Sequence, residues 1–181
     1  MIDILITEDS DVVAALLQGI FQAEPDMRVI GRARNGREAV TLAQELRPDL
    51  VTMDIRMPVM DGFEATRMLM ATQPLPIVVI SSSVDDEELR ITFRAIEEGA
   101  LAVIEKPRGL AHPDFERVRR DLVETVRAMA EVKLVRRRQP RPGIVALPPS
   151  APRAGSRHEV VGLALSTGGP QALSTLLAGM P

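Results

Sequence analysis

The sequence predicts an α/β fold, in which helices cover both faces of a parallel sheet. Short runs rich in Val and Ile alternate with longer amphipathic stretches through about the first hundred residues. The short runs are apolar on both faces, as expected for strands buried between two helical layers. Ser, Asp and Gly stand where the helical stretches begin or end. This alternation is typical of a parallel sheet built from βα units.

Five strands and five helices are predicted in order. The strands are the runs with β-branched residues, at 2–7, 27–33, 49–55, 76–82 and 100–106. The helices are the amphipathic stretches, at 11–24, 36–47, 61–73, 85–99 and 114–132. In the last of these, apolar residues recur every three or four positions and form one face: Phe115, Val118, Leu122, Val126 and Met129.

The chain changes character after the fifth helix. Residues 139–157 carry five Pro and two Gly, which predicts an extended linker. A further strand at 159–166 and a helix at 170–179 follow. This last βα unit could bury only part of its apolar surface by itself. We therefore expect the sequence to be a piece of a longer protein.

Composition excludes several classes of function. The sequence has no Cys, so neither a disulfide nor a thiolate nucleophile is available, and a cytoplasmic location is expected. Residues 1–116 hold 21 acids and 11 bases, whereas 117–157 hold 3 acids and 11 bases. The basic segment has no interleaved aromatic residues, and no recognition helix follows it. A solvated linker is therefore favoured over an arm that binds nucleic acid. Residues 160–181 are uncharged, but a central Ser-Thr-Gly-Gly-Pro argues against membrane insertion.

Polar residues follow the strands at the edge where ligands bind in open parallel sheets. Glu8 and Asp9 follow the first strand, Asp54 ends the third, Ser81 ends the fourth and Lys106 ends the fifth. Converging carboxylates repel each other and call for a cation, and an all-oxygen ligand set suits Mg²⁺. An Asp can accept a phosphoryl group, with Lys106 and Ser81 contacting the phosphoryl oxygens. The alternative is that these residues are helix caps, a turn cap and a solvated strand end.

Ser166 lies at a predicted turn from strand to helix. Gly168 and Gly169 allow a tight bend, and Pro170 suits the first helical turn. Such an elbow can present a nucleophilic Ser near an oxyanion hole. The alternative is a helix N-cap or an anion-binding turn. Neither histidine of the chain, at positions 112 and 158, is placed to act as its base, and both are expected at the surface.

Residues 1 to about 125 resemble a response-regulator receiver domain. The resemblance rests on "ED" at 8–9, "DIRMPVMDG" at 54–62, "VVISS" at 78–82 and "EKP" at 105–107. It implies a flavodoxin-like sheet of order 2-1-3-4-5, with Asp54 as phosphoacceptor and Ser81 and Lys106 contacting the phosphoryl group. It also implies Mg²⁺ held by Glu8, Asp9, Asp54 and the backbone carbonyl of Arg56. The family often has an aromatic residue where Val103 stands, so the resemblance does not extend to switching by an aromatic side chain at this position.

The receiver, the linker and "STGGPQAL" together resemble the chemotaxis response-regulator protein-glutamate methylesterases, the CheB family. The resemblance implies a receiver at 1–125, a linker at 126–157 and the start of an esterase domain at 158–181. It implies Ser166 as the nucleophile of a Ser-His-Asp triad, a chemotaxis histidine kinase as phosphodonor and methylated chemoreceptors as substrates. The resemblance places the His and Asp of that triad in segments outside residues 1–181. We therefore expect residues 1–181 alone not to hydrolyse esters. The alternative is a stand-alone receiver acting as a phospho-dependent binding switch; a transcription factor is disfavoured because no helix-turn-helix follows.

Overall fold

A computed structural model describes residues 1–81 and 86–134, without the side chains of residues 86–90. Strands and helices alternate along this part of the chain. The strands are β1 (Ile2–Thr7), β2 (Met27–Ala33), β3 (Leu50–Met53), β4 (Ile77–Ser81) and β5 (Ala102–Glu105). The helices are α1 (Asp11–Gln22), α2 (Gly36–Leu46), α3 (Gly62–Thr72), α4 (Asp86–Glu97) and α5 (Phe115–Ala130).

The five strands form one parallel sheet in the order β2-β1-β3-β4-β5. The predicted fold class and strand order are therefore confirmed. In the centre of the sheet, Leu5 of β1 pairs with Val51 of β3, which pairs with Ile77 of β4. The strand order reverses between β1 and β3, and the carboxyl ends of these two strands flank the crevice where ligands bind in such sheets.

The sheet separates two apolar layers because successive side chains of a strand point to opposite faces. One layer holds Leu5, Val51 and Met53 with buried residues of α2, α3 and α4. The other holds Ile4 and Ile6 with buried residues of α1 and α5. The central strands are thus apolar on both faces, and the edge strand β5 is only half-buried.

Side chains cap three of the helices at their first turn. The Ser10 hydroxyl accepts a hydrogen bond from the Val13 amide, Asn35 caps α2 in the same way and Asp61 caps α3. Gly99, predicted to close the fourth helix, has φ of 109°, a left-handed conformation that favours glycine.

The predicted bounds of β1 and β2 match the structure, and those of the other elements differ by at most two residues at either end. The difference that matters is in β3, predicted over 49–55, which ends at Met53. Asp54 therefore follows the strand instead of belonging to it. The predicted domain boundary at residue 125 falls inside α5, which continues to Ala130.

Several predicted features lie outside the described residues. These are Ser166, His158, most of the linker predicted at 126–157 and the βα unit at 158–181. Within residues 1–81 and 86–134, none of the helices combines the length and apolar content that crossing a bilayer requires.

Candidate functional site

The site lies at the carboxyl edge of the sheet, where the loops after β1, β3 and β5 meet. Parallel strands place their carboxyl ends at one edge, so residues distant in sequence converge there. Glu8 follows β1, Asp54 follows β3 and Lys106 follows β5. All three side chains are largely buried, with 1% of Glu8, 7% of Asp54 and 13% of Lys106 exposed.

The Lys106 ammonium bridges the two buried carboxylates. Its Nζ lies 2.8 Å from Glu8 Oε2 and 3.0 Å from Asp54 Oδ2. The backbone amide of Lys106 donates to the Ser81 carbonyl at 2.9 Å, which fixes the start of the β5–α5 loop beside β4. Lys106 is therefore held through its backbone amide and through its side chain. Its ammonium compensates the negative charge of the two buried carboxylates.

Burial and the neighbouring charges shift the protonation of this pair. Burial raises the pKa of the Glu8 carboxyl, and the nearby Asp54 charge adds to that rise, while the hydrogen bond from Lys106 opposes it. Burial alone would lower the pKa of Lys106, but its hydrogen bonds to Glu8 and Asp54 and their negative charges outweigh burial and raise it. Lys106 thus stays protonated across the physiological range.

The Asp54 carboxylate is held by its own loop as well as by Lys106. Its Oδ1 accepts a hydrogen bond from the Ile55 amide at 2.7 Å, and its backbone amide donates to the Thr7 carbonyl at 2.9 Å. Gly62 packs directly on this loop, because a Cβ at position 62 would overlap the Asp54 carbonyl oxygen. The loop therefore presents Oδ2 toward Lys106 in a defined orientation.

The three predicted carboxylates do come together. Glu8, Asp9 and Asp54 each offer an oxygen atom, and these atoms lie within 4.8 Å of one another. Hard oxygen donors of this kind suit Mg²⁺, which binds a few carboxylates and keeps several waters. Asp9 is exposed, so the open side of the cluster faces solvent. The residues present therefore fit a magnesium ion that still has free coordination positions.

Four other residues named from the sequence lie within the described part of the chain. Ser81 is the last residue of β4 and is buried, one strand away from Asp54. Arg56 lies two residues after Asp54 in the same loop, and the role of its carbonyl stays a prediction. Val103 is half-buried in β5 and packs against the apolar layer formed with α2, α3 and α4. His112 is half-exposed in the β5–α5 loop, as expected of a surface histidine.

Sequence reasoning missed two residues that shape the site. One is Gly62, whose backbone passes close to the Asp54 carbonyl oxygen. Its signal in the sequence was a glycine directly after Asp61, the residue that caps α3. Arg32 is the other: it lies at the end of β2 and donates to the carbonyl oxygens of Glu8 and Asp9. Its signal was weak, because a basic residue at the end of an edge strand is ordinarily solvated.

The sequence matches known proteins along its length. Residues 4–112 match the response regulator receiver domain family. Proteins named protein-glutamate methylesterase/protein-glutamine glutaminase 4 include one from Geobacter metallireducens, 46% identical over 182 residues, covering 99% of this chain and 52% of the relative. Another, from Myxococcus xanthus, is 50% identical over 181 residues and covers 98% and 51%. The chain spans about half the length of the curated relatives it matches.

Solved structures agree with the fold. The response regulator domain of Thermotoga maritima CheB is 37% identical with a TM-score of 0.67, covering 74% of this chain and 99% of that one. The CheX-CheY-BeF3-Mg²⁺ complex from Borrelia burgdorferi contains a chain 25% identical with a TM-score of 0.58, covering 70% of this chain and 87% of that one.

Proposed function

Because the chain belongs to the response regulator receiver family and is similar to CheB-type methylesterases over almost its whole length, we propose that Asp54 accepts a phosphoryl group that controls a methylesterase. The single observation that carries the proposal is the Lys106 ammonium, 3.0 Å from Asp54 Oδ2 and 2.8 Å from Glu8 Oε2. It places one cation and a cluster of carboxylate oxygens around a single acceptor atom. A chemotaxis histidine kinase is the proposed phosphodonor.

The geometry favours Oδ2 of Asp54 as the nucleophile. The rigid Ile55 amide holds Oδ1, whereas the long side chain of Lys106 contacts Oδ2 and can turn toward an arriving phosphoryl oxygen. A bond forms between Oδ2 and phosphorus while the bond between phosphorus and the donor nitrogen breaks, and that nitrogen keeps the electron pair and takes up a proton. The Ser81 hydroxyl then donates to a second phosphoryl oxygen.

The proposed metal ligands are the carboxylates of Glu8, Asp9 and Asp54 with the carbonyl of Arg56. Mg²⁺ bound there supplies positive charge that stabilises the transferring phosphoryl group. The residues themselves orient the site: Lys106 fixes the Glu8 and Asp54 carboxylates, and the hydrogen bond from the Ile55 amide fixes Asp54. Water is excluded from the inner part of the site because Glu8 and Asp54 are buried.

The hydrolase part of the proposal rests on sequence similarity beyond the described residues. The Geobacter metallireducens relative, named for methylesterase and glutaminase activities, aligns with 99% of the chain. That alignment reaches the segment containing Ser166, which we propose as the nucleophile of the esterase. Chemoreceptors carrying glutamate methyl esters are the proposed substrates, and the phosphorylation state of Asp54 is the proposed control.

Phosphorylation of the purified protein tests the proposal. With Mg²⁺ and a small-molecule phosphodonor, we expect the intact mass to rise by one phosphoryl group and peptide mapping to place it on Asp54. Asp54→Asn should abolish the increase, because an amide oxygen is too weak a nucleophile. Asp61→Asn is the matched control, since Asp61 is exposed in the same loop and Asn caps a helix equally well. Labelling that persists in Asp54→Asn would move the acceptor elsewhere and overturn the proposal.

A further inference from the structure

Arg32 connects β2 to the loop that carries two of the acidic residues. Its guanidinium donates to the Glu8 carbonyl oxygen from Nε at 3.2 Å and from Nη2 at 3.1 Å. Nη2 also donates to the Asp9 carbonyl oxygen at 3.2 Å. The remaining nitrogen, Nη1, forms an ion pair with Asp11 at the start of α1. One side chain, 26% exposed, thus binds both acidic residues of the β1–α1 loop through their backbone.

The two acidic residues of this loop are held in different ways. The Glu8 side chain is anchored by Lys106 and by the Ser10 amide, which donates to Oε1 at 3.2 Å. The Asp9 side chain is exposed and forms no hydrogen bond or ion pair with another residue in the described part of the chain. The position of the Asp9 carboxylate therefore depends on its backbone, and Arg32 fixes that backbone.

We propose that Arg32 is a positioning residue for Mg²⁺, one that keeps the Asp9 carboxylate turned toward Glu8 and Asp54. This inference rests on the magnesium site of the proposed function. Without the guanidinium, the loop would have to become ordered when the ion binds, and the ordering entropy would be subtracted from the affinity. Loss of residues that orient metal ligands typically weakens binding 10- to 100-fold, and we expect about tenfold here.

Electrostatics alone predicts that removing Arg32 changes the Mg²⁺ affinity in the opposite direction. Arg32 carries a positive charge beside the acidic cluster, so a purely Coulombic role would repel a divalent cation. Removing that charge would then leave Mg²⁺ affinity unchanged or increase it. A weaker affinity after the loss of this positive charge would therefore point to lost orientation, provided that a variant which also releases Asp11 does not weaken binding equally.

Calorimetric titration of the full chain with Mg²⁺ separates these roles. Arg32→Met keeps the aliphatic stem but cannot donate, and we expect its dissociation constant to rise about tenfold. Arg34→Met is the matched control, because Arg34 Nη2 pairs with the same Asp11 at 3.3 Å, is 65% exposed and donates to neither loop carbonyl. The affinity of the Arg34→Met variant for Mg²⁺ should equal or exceed that of the wild-type protein. Arg32→Lys keeps the charge but lacks the planar fork, so it should also bind more weakly than wild type.

Each outcome has a defined meaning. No binding by the wild-type protein would overturn the proposed function itself. Normal wild-type binding with unchanged or tighter binding by Arg32→Met would overturn the role of Arg32 alone. Equal weakening in the Arg32→Met and Arg34→Met variants would assign the effect to Asp11 and overturn it too. Far-UV circular dichroism checks folding, and Arg32→Lys decides the matter where Arg32→Met does not fold.

Discussion

Val59 occupies a backbone conformation that β-branched residues rarely adopt. It lies in the loop between Asp54 and α3 with φ of 69°, and 75% of its surface is exposed. The left-handed region costs an L-residue roughly 1–2 kcal/mol, and glycine escapes most of this cost. The strain is local to the loop that carries the proposed phosphoacceptor.

Replacing Val59 with Gly should stabilise the protein by about 1 kcal/mol, because the relief of strain exceeds the added entropy of the unfolded chain. Chemical denaturation measures the change as a shift in the midpoint. Val12→Gly is the control, since Val12 is 79% exposed but lies in α1, where glycine lowers helix stability. A Val59→Gly variant that is less stable than wild type would show that the valine makes compensating contacts.

The convergence of Glu8, Asp9, Asp54 and Lys106 could be predicted because parallel strands end at one edge, whatever their side chains contact. The backbone conformation of Val59 could not, because no local pattern distinguishes a strained valine from a relaxed one. The contacts of Arg32 with the Glu8 and Asp9 carbonyls could not either, since they depend on the relative placement of two loops. Ser166, outside the described residues, stays a prediction.

At the scale of whole elements, α5 is tied to the α1–β2 loop by arginines. Arg127 donates to both carboxylate oxygens of Asp26, at 2.6 and 2.9 Å, and also reaches Glu24 at 3.2 Å. Arg119, about two turns earlier in α5, pairs with the same Glu24 at 3.2 Å. The hydrogen bond from Arg127 lowers the pKa of Asp26 below its ordinary value.

Arg127→Met should therefore destabilise the protein in a pH-dependent way. Because the folded pKa of Asp26 is lowered, its contribution is fully present above the ordinary value near 3.8 and is lost as the pH falls through the lowered pKa. Thermal melts of wild type and variant should differ at neutral pH and converge in acid. Arg120→Met is the control, since Arg120 is exposed on α5 and has no charged partner among the described residues. A difference that is constant with pH would contradict the ion pair.

Element types followed the hydrophobic period closely, and β1 and β2 have the predicted bounds. The end of β3 was predicted too late because Ile55, an apolar and β-branched residue, follows Asp54. In the structure Asp54 turns its carboxylate back onto the Ile55 amide, and the ladder stops at Met53. The contact between the Asp54 side chain and the Ile55 amide thus overrides the strand propensity of Ile55, which a hydrophobic pattern cannot reveal.

At the scale of the molecule, folding brings three carboxylates together at one end of an apolar sheet, and the repulsion among them lowers the stability of the folded state. One carboxylate oxygen from each of Glu8, Asp9 and Asp54 lies within 4.8 Å of the other two, and the single charge of Lys106 offsets only part of their mutual repulsion. A ligand that binds only the folded state stabilises it by about 2.7 kcal/mol at a hundredfold excess over its dissociation constant. Stability and metal binding should therefore be coupled through Asp9.

We expect saturating Mg²⁺ to raise the melting temperature of the wild-type protein by several degrees. Asp9→Asn should remove most of this response, yet melt no lower than wild type in chelator, since it deletes one of three like charges. Differential scanning calorimetry with and without Mg²⁺ measures both effects, and Asp61→Asn should respond like wild type. A lower melting temperature for Asp9→Asn in chelator would mean that Asp9 stabilises the fold by another contact.

We expect the position of Lys106 between Glu8 and Asp54 to set the charge of the ion that the proposed metal site favours. With every group ionised, three carboxylates and one ammonium sum to two negative charges, which a single dication balances. A monovalent ion leaves the edge anionic, and a trivalent one overshoots to positive. Under the proposed function, the charge of Lys106 thus matches this cluster to one doubly charged ion before a phosphoryl group is transferred.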